Sequence, residues 1–576
     1  MIEKKGVIIV DKNIIEKYER WKNDPYFDKK TQEELIAIEG NEKEIEDRFF
    51  QDLAFGTGGL RGVIGAGTNR MNIYTIRKAT QGLADYIKSH GDTAAARGVV
   101  IAHDCRHFSR EFTLEAASVL AGNHIKTYIF DDLRPTPELS FALRELEAIA
   151  GIVVTASHNP PEYNGFKVYW EDGAQVATET AEAIMESINQ VEEMSQIKQM
   201  PQKEAIEKEL QEILGKEMDK KYMDAVLGQS LRKDGIQRMA DGFKVVYTPL
   251  HGTGTYLVPE ILRRAGFKQV ITEPKQSVPD PDFSTVKSPN PEEKEAFTLA
   301  IQLAEKEKAD LIIGTDPDGD RVGALVKDHE GKYQVLTGNQ TGALLVEYIL
   351  RSRRELESLP LNPLIVKTIV TSEMGAKIAE NYGVDVENTL TGFKYIGDRI
   401  KYYEERGNKT FLMGWEESYG YLVGTYARDK DAIVAALLIA EMAAVYALEG
   451  KTLYDALLQL YQEYGTYRET LKSITLKGKE GMEKITSIMN YFRNKTPDHL
   501  GKDPIQTIED YKKMPDFPSS NVIKLMMSRE EWVCLRPSGT EPKLKIYAAA
   551  KGKSIQETDE KLQRWVDDIE KMIAKI

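Results

Sequence analysis

Two cysteines, Cys105 and Cys534, are all that the 576 residues contain. A disulfide scaffold is therefore excluded, and a reducing compartment fits. Long apolar runs are missing as well. The first residues, MIEKKGVIIVDKN, hold four consecutive strongly apolar positions, too few for the core of a signal peptide. The most apolar long segment, DAIVAALLIAEMAAVYAL (431–448), is alanine-rich and interrupted by Glu441, which reads as a buried helix rather than a membrane span. Positive charge is in deficit: 77 Lys and Arg against 91 Asp and Glu leave a net charge of −14. That balance argues against a protein that coats nucleic acid or a membrane surface. It also means that any anionic substrate must be met by basic groups gathered locally. The expectation is a cytoplasmic protein.

Several familiar motifs are absent too. No G-x-x-x-x-G-K-[ST] phosphate loop occurs, and the glycine-dense FGTGGLRGVIGAGTNR (55–70) contains no complete G-x-G-x-x-G, so a dinucleotide fingerprint is rejected. The stretch following Asp316 has Arg321 and Lys327 where an EF-hand needs Gly and Glu. TASHN lacks the glycines of a hydrolase nucleophile elbow.

What is present is an alternation of strand-like runs and helical patterns, as βαβ-type domains require. The clearest strands are 98–104, 148–156, 243–250 and 309–316, each ending in a loop that contains Asp, Ser, His or Gly. In open α/β sheets ligands gather at such carboxyl edges. A 41% apolar fraction is enough to build real cores, and the length suggests roughly three to five domains. A charged stretch, 192–222, predicts a surface helix and a first boundary, and a second boundary is expected near 325–335. No internal repeat is strong enough to use. Near the end, Leu562, Trp565, Val566, Ile569, Met572 and Ile573 recur at helical spacing, predicting an amphipathic docking helix.

Four loops carry chemistry. Ser157 follows an apolar run in GIVVTASHNPPEYNGFKVYW. A plain turn serine is one reading, and a phosphoryl-carrying hydroxyl is the other. If the segment is extended, His158 points to the opposite side and is not the base for Ser157. In GTDPDGDR (314–321), Asp316, Asp318 and Asp320 are spaced by two around Gly319, a set of hard oxygen donors suited to Mg²⁺ or Ca²⁺. In CLRPSGTEPKLKIY (534–547), Arg536 offers a planar bidentate donor beside Ser538, Gly539 and Thr540, with Lys543 and Lys545 nearby. In FLMGWEESYGYLVG (411–424), Glu416, Glu417 and Ser418 suit sugar hydroxyls, although a surface ion-pair cluster with Arg428 and Lys430 would look the same.

Taken together and in this order, the loops resemble the α-D-phosphohexomutase family, in particular its long phosphoglucomutases, from about residue 50 to near 550. The resemblance implies an α/β fold of four domains around a central cleft: three similar mixed-sheet domains at 1–207, 208–325 and 326–455, and a smaller α+β domain at 456–576. It implies that Ser157 carries phosphate and that Asp316, Asp318 and Asp320 hold Mg²⁺ with a phosphoserine oxygen. Glu416 and Ser418 would bind sugar hydroxyls, and LTGFKYIGDR (390–399) would place Thr391, Gly392 and Lys394 near the sugar. Arg536, Ser538, Gly539 and Thr540 would grip the non-reacting phosphate, with Lys545 and Arg321 also contacting substrate. Arg61, His158 and Lys430 would be acid/base or electrostatic helpers. The partner implied is a small phosphosugar, with glucose 1,6-bisphosphate as intermediate and activator and no nucleic acid or membrane. A monomer or weak homodimer is expected, and the last domain is expected to be the mobile one. Gly58 replaces a serine common in the family, and Tyr419 resembles the glucose-type enzymes. The alternatives are a phosphopentomutase or phosphomannomutase on the same scaffold, a Mg²⁺-dependent aspartyl phosphatase, or a non-catalytic sugar-phosphate binding protein.

Overall fold

The computed structural model describes residues 11–56, 58–476, 478–538 and 543–576. Among them the chain builds four principal sheets. The first three share one arrangement. In the first, parallel strands Val99–His103, Thr127–Phe130 and Ala150–Val154 are followed by Tyr163–Trp170, which turns back antiparallel onto Ala150–Val154. In the second, parallel Lys244–Thr248, Gln269–Thr272 and Leu311–Thr315 are followed by antiparallel Val322–Lys327. In the third, parallel Pro363–Thr368, Asp385–Thr389 and Thr410–Glu416 are followed by antiparallel Gly420–Val423. The loop between the last parallel strand and the returning one carries Ser157, the aspartates or Glu417–Tyr419, respectively. The same backbone device thus recurs three times without a readable sequence repeat, because strand pairing specifies no side chain beyond burial.

Two strands extend these sheets across the boundaries read from sequence. Gln211–Leu214 pairs with Thr127–Phe130 at the edge of the first sheet, beyond residue 207. Tyr333–Val335 pairs with Val322–Lys327 in the second, beyond residue 325. Part of the charged stretch, 202–207, is a short helix that leads the chain back to the first sheet.

The alanine-rich segment is a helix, Ala432–Leu448, with fifteen of its seventeen residues buried. It packs on helices Lys233–Met239, Gly254–Ala265 and Gly338–Glu355, so one apolar core runs from Val100 to Tyr467 through the first three sheets. Glu441 is tolerated there because it accepts bonds from Leu231 N (2.9 Å), Arg232 N (3.0 Å), Tyr348 Oη (2.7 Å) and Ser230 Oγ. No single helix among the described residues is long and apolar enough to cross a membrane.

The last sheet is wholly antiparallel, Thr466–Thr475, Lys543–Gly552, Trp532–Pro537, Ile523–Met526 and Thr507–Asp510. The predicted docking helix, Ile555–Ile573, covers it with Leu562, Trp565, Val566, Ile569 and Ile573 buried, while Met572 is half-buried. This domain has its own core and meets the third through Ile369, Val370 and Leu390 against Tyr511, Val522, Trp532 and Tyr547. Charge is also buried at that seam. Glu373 receives Lys367 at 3.1 Å and Lys524 at 3.9 Å, and Lys524 lies over the Trp532 ring at 4.3 Å. Two amines share one carboxylate, and burial pushes the Lys524 ammonium down to about 8.

The sign of the consequence follows. Between pH 8 and 10.5 the unfolded chain binds more protons at this lysine than the folded one, so stability rises with pH across that window. Below it the full penalty applies. Lys524→Met is therefore expected to stabilise the fold by up to about 3 kcal/mol at pH 7.5. In urea unfolding followed at both pH values, that advantage over the parent should shrink by pH 10. An advantage that grew with pH would contradict the assignment.

Candidate functional site

Ser157 lies just past Ala150–Val154 in a left-handed backbone conformation, φ +54°. Its N–H donates to Thr155 Oγ1 (2.8 Å), whose hydroxyl donates to Asp104 Oδ2 (2.6 Å). This overturns the extended geometry expected from sequence. The left-handed turn brings His158 to the same side, with Nδ1 3.1 Å from Ser157 Oγ. Burial, Arg321 and Arg61 hold the His158 imidazole well below its usual range, so the ring is neutral at physiological pH.

The second contact of that hydroxyl crosses a domain boundary. Ser157 Oγ donates to Asp316 Oδ2 at 2.9 Å. Asp316, Asp318 and Asp320 are buried and present ligand atoms within 4.8 Å of one another. The loop that carries them is wedged between two helix starts: Thr136 N donates to Asp318 O (2.9 Å) and Ala432 N to Gly319 O (3.2 Å). Gly319 has φ +66°, and a Cβ there would lie 2.7 Å from Pro135, so only glycine suits the bend. Asp316 Oδ1 accepts from the backbone N–H groups of Asp320 and Arg321 (3.1 and 3.0 Å). Asp318 Oδ1 and Asp320 Oδ1 are buried without a hydrogen-bond partner. Orphaned carboxylate oxygens in a cluster of hard donors fit a divalent cation.

Three cations border the cluster, and each comes from a different domain. Lys430 Nζ is 3.2 Å from Asp320 and 2.8 Å from Asp429, and despite burial these carboxylates raise its pKa strongly. Arg321, half-buried, is held charged by Glu292 at 2.6 Å together with Asp320 and Asp316. The third is Lys167, which no sequence motif marks for a role. Its Nζ is 2.8 Å from Asp318 and 3.6 Å from Asp320. The available signal is a lone lysine among the apolar residues of FKVYW (166–170). Burial and the like charges of Asp318 and Asp320 together raise the Asp316 carboxyl, while Lys167 holds Asp318 well below the carboxylate range.

Arg61 pairs with Gly165 on the neighbouring strand. Its side chain is open to solvent yet walled by protein, and burial lowers its pKa within reach of Asp318, Arg321 and Arg106. From the third domain, Glu416 accepts from Gly392 N at 2.9 Å, uniting two loops read separately in the sequence. Glu417 accepts from Thr368 and Thr371, and burial beside Glu416 raises it to about 7. Ser418 is half-buried in the same loop, and Thr391 Oγ1 is buried without a partner. Lys394 reaches Thr178 Oγ1 of the first domain at 3.3 Å. From the last domain, Arg536 and Lys545 are cross-strand neighbours, and Lys545 feels Arg536, Glu417, Arg321 and Glu292. Ser538 N donates to Lys543 O (2.8 Å). Gly539 and Thr540 lie outside the described residues.

Family models for phosphoglucomutase/phosphomannomutase α/β/α domains I, II and III match residues 52–195, 220–331 and 337–464. The chain belongs to the phosphoglucomutase/phosphomannomutase family. Within it, a phosphoglucomutase of Staphylococcus haemolyticus is 38% identical over 536 residues, covering 90% of this chain and 94% of the relative. A phosphoglucomutase of Staphylococcus aureus strain MRSA252 is 39% identical over 539 residues, covering 91% and 95%. The open form of the Paramecium phosphoprotein pp63/parafusin, a phosphoglucomutase, shares the fold with a TM-score of 0.66 at 18% identity over 90% of this chain and 94% of that one.

Removing one carboxylate should expose what the cluster is for. Asp318→Ala is expected to weaken Mn²⁺ binding roughly 100-fold or more in calorimetric titration. Unchanged affinity would show that the three aspartates do not act together.

Proposed function

We infer that the chain interconverts α-D-glucose 1-phosphate and glucose 6-phosphate, as an isomerase that works by phosphoryl exchange. The observation that carries this reading is the 2.9 Å bond from Ser157 Oγ to Asp316 across the cleft. It supports a hydroxyl that lends and reclaims phosphate beside a metal-binding cluster, and the two staphylococcal phosphoglucomutases support glucose phosphate as substrate.

In the first half-reaction, the bond from phosphorus to Ser157 Oγ breaks while one forms to O6 of glucose 1-phosphate, and the O6 proton leaves to a base. Of the three helpers expected from sequence, His158 is the one in neutral form; Lys430 and Arg61 are cations. His158 is therefore assigned as base and Lys430 and Arg61 as electrostatic stabilisers. Asp316, Asp318, Asp320 and an oxygen on Ser157 would hold Mg²⁺, which supplies charge neutralisation for the phosphoryl group. The product, glucose 1,6-bisphosphate, turns over and returns its other phosphoryl to Ser157. Arg536, Ser538, Gly539, Thr540 and Lys545 then hold whichever phosphate is idle, because a guanidinium and hydroxyls bind a tetrahedral anion without demanding one sugar orientation. Glu416, Ser418, Thr391, Gly392 and Lys394 hold the ring, with Arg321 at the reacting end. Movement of the last domain about its seam with the third would admit the sugar and exclude water.

Intact mass and peptide mapping of the purified chain should find phosphate on Ser157. Ser157→Ala should lower interconversion by about 1,000-fold or more, and His158→Asn by roughly 100-fold or more. Among the 1-phosphates of glucose, mannose and ribose, kcat/KM should be highest for glucose. Full activity in Ser157→Ala would overturn the reading, and a higher kcat/KM on ribose or mannose would reassign the substrate.

A further inference from the structure

Arg106 has no contact with the aspartates or with Ser157 Oγ, yet its guanidinium holds the serine loop from behind. Nη2 donates to the carbonyls of Ser157 (2.6 Å) and Asn159, and Nη1 to those of Pro160 (2.8 Å) and Tyr163 (3.1 Å). Nε faces Asp104 Oδ2 at 3.2 Å, with neither side chain exposed. The same Asp104 accepts from Arg106 N (2.9 Å), Ser109 Oγ (2.7 Å) and Thr155 Oγ1 (2.6 Å), and Thr155 in turn receives the Ser157 N–H. The carbonyls of Ser157, Asn159, Pro160 and Tyr163 and, through Thr155, the Ser157 N–H thus lead to this one ion pair, while Glu162 O is held separately by Ile64 N at 2.8 Å. The guanidinium is covered by a residue of the second domain: the Phe283 ring centroid lies 4.9 Å away, and Phe283 is buried. Beside it His107 meets Asp282 at 2.7 Å.

Two physical facts give the arrangement a purpose. A serine in the left-handed region costs roughly 1–2 kcal/mol and persists only where its surroundings impose it. A guanidinium presents five donors in a rigid fork and can span carbonyls on successive residues, whereas an ammonium is a single point. We propose that Arg106 is a positioning residue for phosphoryl transfer. It fixes residues 157–163 so that Ser157 Oγ faces the aspartates, and Phe283 makes that setting depend on the domain that supplies them. The proposal rests on Ser157 as phosphoryl carrier.

The test uses the full-length chain with Arg106→Lys, Phe283→Leu and Phe283→Tyr. For Arg106→Lys, kcat should fall roughly 100-fold, with KM for glucose 1-phosphate within about threefold, because the sugar and phosphate loops are untouched. Amide hydrogen exchange should quicken in a peptide covering 155–163 and stay unchanged across 99–103. Phe283→Leu should show the same pattern at about tenfold, and Phe283→Tyr should restore kcat to within about twofold. A kcat for Arg106→Lys within threefold of the parent, unchanged exchange at 155–163, or a loss that merely tracks the folded fraction would overturn the proposal. Should Arg106→Lys fail to fold, parental kcat in Phe283→Leu would overturn it, and a selective loss rescued by Phe283→Tyr would sustain it. Phosphate missing from Ser157 in the parent would refute the carrier assignment instead, while the exchange data still judge the clamp.

Discussion

Three buried carboxylates with ligand atoms within 4.8 Å of one another repel, and much of the surrounding architecture offsets that repulsion. Lys167 reaches in from the first domain and Lys430 from the third, while Arg321 belongs to the loop itself. No one domain carries all the charges needed to make the cluster tolerable. Neutralisation and domain assembly are thus one event, and the Ser157–Asp316 bond is formed where they meet. A protein with net charge −14 can address an anion because its cations converge only after folding.

The thrice-used turn from a parallel strand to its antiparallel neighbour explains how such different loops reach one place. Each sheet delivers its loop at the carboxyl edge of its central strands. The long helix 432–448 ties the second and third sheets into one core, and side-chain bonds stitch the first to the third, as Tyr169 Oη to Asp429 (2.6 Å) and Arg428 N to Ser140 Oγ (2.9 Å). The last domain stands apart. It has a separate core and a seam that mixes apolar contact with a shared, buried carboxylate. Domains joined by a seam of this kind move relative to one another by default unless the interface is large and apolar, which suits the movement proposed for the last one.

The serine loop illustrates how strain and function combine. Ser157 adopts a backbone conformation disfavoured for residues with a side chain, and that conformation turns the hydroxyl toward both His158 and Asp316. An ion pair behind the loop and an aromatic cap from the adjoining domain hold it there. The Ser157 hydroxyl, the proposed phosphoryl carrier, is thus placed by groups that lie outside the aspartate cluster.

Much of this was readable in the chain before any coordinates. The strands at 98–104, 148–156, 243–250 and 309–316 could be read because short apolar runs rich in Val and Ile that end in polar loops have few other uses. The loops of Ser157, of the aspartates and of Glu416 could be singled out as candidates because metal and phosphate chemistry favours few residue types and because their order along the chain resembles one family's. Lys167 and Arg106 were missed, since an isolated cation beside a strand looks the same whether it meets solvent, a carboxylate 151 positions away or four carbonyls of a neighbouring loop. His158 was placed on the wrong side because local periodicity assumes regular backbone, and Ser157 departs from it. Residue chemistry is written along the chain. Which charges neutralise each other, and which way a turn points its hydroxyl, depend on contacts between segments 51 to 159 residues apart, and those exist only once the cores have packed.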